Sequence, residues 1–310
     1  MPYVPITPAP GHVLLEFAER RWSAILNTRA DLKPALDLQR ALLTIVIDLG
    51  GTIEASRLPR LSLPPKYVAA KLARGVPALA GEPIPLPVAP LKTALVGLCD
   101  ALASGGAGDT ATHIRDAIEN GSMEAGSLLT ASLSRDQAAV RVGATHRGLS
   151  PDLVWLVAEL AVSPMAHALQ RMLFGRTGSD ELTAALAGWN HGYCPTCGSW
   201  PALAEVVGGH RTLRCSFCAT GWERTRYACV YCDECAGPFV TAAPNEDRKD
   251  RRVEICSNCG CYLKTVDQPE LSPFPLLAIA DLDTMDLDLA AMQHGYRRPA
   301  LKEFTPKPQG

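Results

Sequence analysis

Apolar residues recur at three- and four-residue intervals through most of residues 1–190. PGHVLLEFAERRWSAIL, LKPALDLQRALLTIVIDLG, APLKTALVGLCDALAS and PDLVWLVAELAVSPMAHALQRMLFG each carry that spacing, with Pro or Gly at their edges. It predicts amphipathic helices whose apolar faces need one another. DTATHIRDAIENG predicts a shorter helix capped by Asp109 and closed by Gly121, and SDELTAALAGW one capped by Ser179. From Arg74 to Pro90 the prolines of RGVPALAGEPIPLPVAP exclude a helix interior. That stretch predicts an extended connector rather than a domain boundary.

After residue 190 the helical spacing stops and short strand-like runs alternate with cysteine pairs. PALAEVV and RTLRC, separated by a turn at Gly208 and Gly209, predict a hairpin, because glycine accepts the positive φ that a tight turn demands. WERTRYAC, RRVEIC and CYLKTV predict further strands. The tail returns to a helix over DLDTMDLDLAAMQHGY, capped by Asp281 or Asp283, and ends in the polar RRPALKEFTPKPQG.

Composition agrees with a globular chain: 310 residues, 47% hydrophobic and 20% charged. A net charge of -2 offers no overall attraction for an anionic polymer, so nucleic acid is a disfavoured partner. The start, MPYVPITPAPGHVLLEF, lacks the basic and apolar regions of a secretory signal, and no later apolar run approaches the length of a membrane span. The expectation is a cytoplasmic protein without membrane insertion.

Cysteine placement carries the chemistry. Of 11 cysteines all but Cys99 lie between Cys194 and Cys261. Cys99, among apolar residues at helical spacing, reads as a small buried hydrophobe. Four CxxC pairs stand in order: Cys194 and Cys197, Cys215 and Cys218, Cys229 and Cys232, Cys256 and Cys259. Two such turns supply the four soft ligands of a tetrahedral metal, so four pairs predict two sites. Sequential pairing, first with second and third with fourth, closes each site around a local hairpin at low entropic cost; interleaved pairing, the alternative, would brace the two sites across each other. Gly198 and Gly260, just behind their pairs, suit the tight backbone of such a turn. A thioredoxin-like dithiol fits poorly, because CPTCGSWPALAEVV runs into a strand and is matched by further pairs. Sulfur-only tetrahedral sites accept iron as well as zinc.

CPTCGSWP, RCSFCATGW, CVYC and EICSNCGCYLK, in that order and followed by DLDTMDLDLAAMQHGY, resemble the formate dehydrogenase accessory protein family FdhE. The resemblance covers residues 191–296. It implies an α+β protein: a helical domain over 1–190, rubredoxin-like zinc ribbons over 191–225 and 226–270, and a C-terminal helix and tail over 271–310. It also implies the eight paired cysteines as ligands for two metal ions, iron or zinc. The implied role is a maturation factor, not an enzyme, whose partner is the catalytic subunit of a formate dehydrogenase.

Two thiols exceed the four-pair pattern, Cys235 in CVYCDEC and Cys261 in CSNCGC; both read as ordinary local cysteines, the alternatives being that one displaces a neighbour as ligand or that they give a redox response beside the metal. His191 and His210 flank the first site as surface or supporting groups, and the charge run Arg248 to Arg252 reads as a solvated loop. Tyr227 and Tyr231 read as ribbon core. A nucleic-acid-binding zinc ribbon and a rubredoxin-like iron redox protein stand as the alternative functions; the former requires a clustered basic face.

Overall fold

The helical spacing of the sequence becomes helix in the computed structural model, which describes residues 3–6, 8–56, 63–175, 179–243 and 249–301. Its helices are α1 (Gly11–Thr28), α2 (Lys33–Ala55), α3 (Pro65–Ala73), α4 (Val88–Leu102), α5 (Gly108–Glu119), α6 (Ala125–Leu133), α7 (Gln137–His146), α8 (Pro151–Phe174), α9 (Asp180–Ala187), α10 (Leu277–Asp283) and α11 (Met285–Gln293). Its strands are β1 (Tyr3–Val4), β2 (Pro201–Val207), β3 (His210–Cys215), β4 (Gly221–Trp222), β5 (Phe239–Ala242), β6 (Arg251–Cys256) and β7 (Cys261–Asp267). Most of the polar tail, from Lys302 on, lies outside the described residues.

Chain contacts divide the protein into two compact units. One comprises Ala9–Ser62 and Gly81–Leu169; the other comprises Met1–Pro8, Leu63–Ala80 and Gln170–Gly310. The division therefore falls inside the proline-rich stretch at residues 80 and 81, where the sequence predicts only a connector. Three pieces of the helical region, including α3 and α9, group with the strands.

In the helical unit, Trp22, Leu36, Leu95, Leu98 and Ile114 are buried without exposed surface, and Cys99 joins them as the spacing predicts. Burial, ahead of the adjacent Asp100 carboxylate, pushes the Cys99 thiol up to about 12. Gly105 permits a close approach, since a Cβ there meets the Leu38 side chain at 2.5 Å. Pro164 lies inside α8, where it removes an amide hydrogen, and the Ser163 hydroxyl donates to the Leu160 carbonyl at 3.0 Å in its place. Two helical stretches, Val88–Glu119 and Pro151–Phe174, are long and apolar enough to cross a membrane, contrary to the sequence expectation. In the second, 67% of the apolar window is buried within the protein, which is the burial of a core helix. Gly106, at φ 117, interrupts the first.

Two helix caps differ from expectation. Ser179 caps α9 through its hydroxyl, which accepts from the Leu182 amide at 3.3 Å. Asp109 instead lies within the first turn of α5, and Thr284 precedes α11 while Asp281 and Asp283 belong to α10. These carboxylates pair with cations rather than amides: Asp281 meets Lys264 and Arg298, and Asp283 meets Arg251.

The sheet runs β1-β4-β3-β2-β7-β6-β5. Every neighbouring pair is antiparallel except β2 with β7, which align parallel from Leu203 opposite Lys264 to Val206 opposite Asp267. Gly208 and Gly209 close the β2–β3 hairpin at φ 56 and 86, as the sequence predicts. WERTRYAC departs from prediction, since only Trp222 of it lies in a strand. The side chain of Arg224 explains this, because it donates to the Asn190 and Cys229 carbonyls and holds the segment as a loop. Helices α10 and α11 cover the sheet through Leu277 and Ala280 on Leu203, and Ala291 on Val253 and Tyr262.

Candidate metal centres

Each CxxC pair forms the same closed turn. In the first, Gly198 N donates to Cys194 O at 3.0 Å and Cys194 N to Ser199 O at 2.9 Å. In the third, Asp233 N donates to Cys229 O at 3.0 Å and Cys229 N to Glu234 O at 2.7 Å. Gly260 N reaches Cys256 O at 2.9 Å, and Cys215 N reaches Thr220 O at 3.0 Å. The residue after the second cysteine takes positive φ in all four: Gly198 at 83, Ala219 at 57, Asp233 at 64 and Gly260 at 68. Glycine at two of these positions is legible in the sequence; the other two are paid for in backbone strain.

These turns bring the eight thiols together as two groups, Cys194, Cys197, Cys215 and Cys218, and Cys229, Cys232, Cys256 and Cys259, with the sulfurs of each within 4.8 Å of one another. Cys194 Sγ lies 3.6 Å from Cys218 Sγ, and Cys197 Sγ lies 3.5 Å from Cys215 Sγ. In the second group the Cys229–Cys259 and Cys232–Cys256 separations are 3.7 and 3.6 Å. A tetrahedron with metal–sulfur bonds of about 2.3 Å has edges of about 3.8 Å, so both groups have the dimensions of a four-thiolate site.

Backbone and side-chain donors surround the sulfurs. Thr196 N points at Cys194 Sγ, and Phe217 N and Cys218 N point at Cys215 Sγ, each at 3.4 Å. Ser199 and Thr220 place hydroxyls 3.3 and 3.0 Å from Cys197 Sγ and Cys218 Sγ. Asn258 Nδ2 approaches Cys232 Sγ at 3.6 Å. Such partners orient ligands and offset thiolate charge. Sequence reasoning missed the hydroxyls, although a signal exists: each stands two residues after the second cysteine of its pair. Cys261 occupies that place in the fourth pair, where its Sγ lies 3.5 Å from Cys259 O.

Electrostatics explain why the groups suit a cation. Burial, and then the neighbouring thiols Cys194 and Cys197, push Cys215 and Cys218 well above the ordinary thiol value. Burial likewise takes Cys229 up to about 12 and raises Cys259. Cys232 differs: burial opposes its ionisation, but donors from the Glu234 backbone and Asn258 lower it. Four thiolates this close repel one another, and a bound cation removes that penalty. The first group is wholly buried, whereas Cys232 and Cys259 of the second are half-buried.

The remaining candidates lie outside both groups. His191 stacks on Tyr193 with ring centroids 4.9 Å apart, and His210 starts β3. Cys235 is exposed beside the Arg226 guanidinium. Arg248 lies outside the described residues, but Arg251 and Arg252 are strand residues paired with Asp283 and Asp267, not a solvated loop. Tyr231 packs its ring on Trp200 and donates to the Tyr262 carbonyl at 3.1 Å, whereas Tyr227 is exposed rather than ribbon core.

No protein-family model matches the chain. Among curated proteins it is similar to an FdhE homolog of Rhizobium meliloti, 27% identical over 168 residues, or 49% of this chain and 55% of the relative. An FdhE homolog of Aquifex aeolicus is 29% identical over 136 residues, covering 41% and 46% of the two chains. One from Haemophilus ducreyi is 31% identical over 166 residues, covering 51% and 50%. The matches thus span about half the length of these relatives. The crystal structure of the FdhE protein from Pseudomonas aeruginosa shares the fold, with a TM-score of 0.59 and 19% identity over 97% of each chain. Several curated FdhE homologs therefore agree with this chain in sequence over about half of their length, and a solved FdhE protein shares its fold along the chain.

Proposed function

We propose that this protein is a cytoplasmic accessory factor that binds the catalytic subunit of a formate dehydrogenase and supports its maturation. The observation that carries the reading is the pair of four-thiol groups on one sheet, in a chain whose relatives are FdhE homologs. Each group holds one ion, iron or zinc, through Cys194, Cys197, Cys215 and Cys218 or through Cys229, Cys232, Cys256 and Cys259. All four ligands of each ion come from the protein, leaving no position for substrate, so the metal shapes a surface rather than performing hydrolysis.

The nucleic-acid alternative lacks support in the arrangement of charge. Arg211, Arg214, Arg251 and Arg252 of the sheet pair with Glu254, Glu205, Asp283 and Asp267, which leaves those cations neutralised. The test is genetic and biochemical. A host lacking the protein should make the catalytic subunit but show little formate dehydrogenase activity, and a chain with Cys194 and Cys197 both changed to Ser should not restore it. The intact chain should capture the catalytic subunit from that host. Full activity in the deletion host, or rescue by the metal-free variant, would overturn the proposal.

A further inference from the structure

The two sulfur groups share a junction as well as a sheet. Gly192, two residues before Cys194, lies against the turn that carries Cys229 and Cys232: a Cβ on Gly192 would stand 1.7 Å from the Val230 carbonyl oxygen. Only a residue without a side chain permits that approach. Arg224 binds the same two segments, with its side chain 2% exposed. Its Nε donates to Asn190 O and its Nη1 to Cys229 O, both at 3.2 Å, and Nη2 meets the Asp233 carboxylate. One guanidinium thus ties the approach to the first site to both ends of the third CxxC turn. Trp200 supplies a third link, its ring 6.0 Å from that of Tyr193, beside Cys194, and 5.1 Å from that of Tyr231, between Cys229 and Cys232.

From this junction we infer that the two metal sites are thermodynamically coupled, so that an ion in one raises the affinity of the other, with Gly192 and Arg224 as the positioning residues that transmit the effect. Small metal ribbons draw much of their folding free energy from the ion. A filled second site fixes the Cys229–Cys232 turn, and that turn is the surface on which Gly192 and Asn190 rest before the chain enters the first site. An empty second site leaves the first to order this segment at its own expense. Linkage makes the relation reciprocal, with equal factors in both directions.

The experiment uses the full chain and Zn²⁺ alone, with affinities read by competition against a chelator and ions per chain counted by native mass spectrometry. Cys232→Ser should weaken zinc at the first site about tenfold, and Cys197→Ser should weaken the second by the same factor. In an Arg224→Gln background both effects should shrink to less than about twofold, while each four-thiol group remains complete. Gly192→Ala should act likewise; if that variant does not fold, Arg224→Gln carries the test, because it introduces no clash. Affinities at each site that ignore the state of the other would overturn the inference. Coupling that persists undiminished in Arg224→Gln would overturn the route. Neither result depends on whether the protein binds a formate dehydrogenase.

Discussion

The four turn residues behind the cysteine pairs give the sharpest single-residue contrast. Ala219 and Asp233 take the left-handed conformation that Gly198 and Gly260 adopt freely. Ala219→Gly should stabilise the metal-bound ribbon by about 0.5–1 kcal/mol, because relief of left-handed strain outweighs the added freedom of the unfolded chain. Asp233→Gly should gain nothing net, since it removes the carboxylate that Arg224 engages. Denaturant midpoints of the two variants, followed by ribbon-specific hydrogen exchange, check the pair. The extra thiols give a second residue-scale prediction. Cys235→Ser and Cys261→Ser should each keep two ions per chain, whereas Cys229→Ser and Cys256→Ser should lose one. Loss of an ion in either of the first two would reassign the second site.

Among elements, those with a strong period or a fixed turn were legible in the sequence. PALAEVV is β2 residue for residue, and RRVEIC is β6. Three short helices, α3, α6 and α7, are absent from the sequence reading, α10 is not separated there from the tail helix, and β1 and β5, which occupy the two sheet edges, are absent as well. A two- or four-residue edge strand carries too little alternation to register. The acidic tail misled for a different reason, because what holds it is long-range. Lys264, with no exposed surface, donates to Asp288 at 2.6 Å and pairs with Asp281 at 2.8 Å, so β7 anchors α10 and α11. Lys264→Met should loosen those helices by roughly 2–3 kcal/mol, less than the roughly 3–5 kcal/mol of a fully buried pair because both carboxylates retain some solvent. Faster amide exchange confined to α10 and α11 is the expected signature. Burial works against the Asp281 charge, yet Arg298 and then Lys264 hold its carboxyl below the usual range. The attachment is therefore present above the unfolded carboxylate value of about 3.9 and lost as pH falls through the lower folded one.

For the whole molecule, metal content should track acidity at a higher pH than this ion network does. Burial holds the thiols of Cys215, Cys218 and Cys229 protonated without a cation, so each ion must displace protons to bind. Two ions per chain at neutral pH should fall toward none as pH drops, with proton uptake accompanying release, before α10 and α11 detach. Metal content flat across that range would contradict thiolate ligation. The parallel β2–β7 pairing has a consequence of another kind. Two modules on a flexible tether would lose orientational freedom when a partner gripped both, but here the hydrogen-bonded strands have already spent that freedom during folding. A partner that touches both ribbons meets a bivalent surface of fixed spacing, and its second contact forms without the concentration penalty that a linker of wandering length imposes.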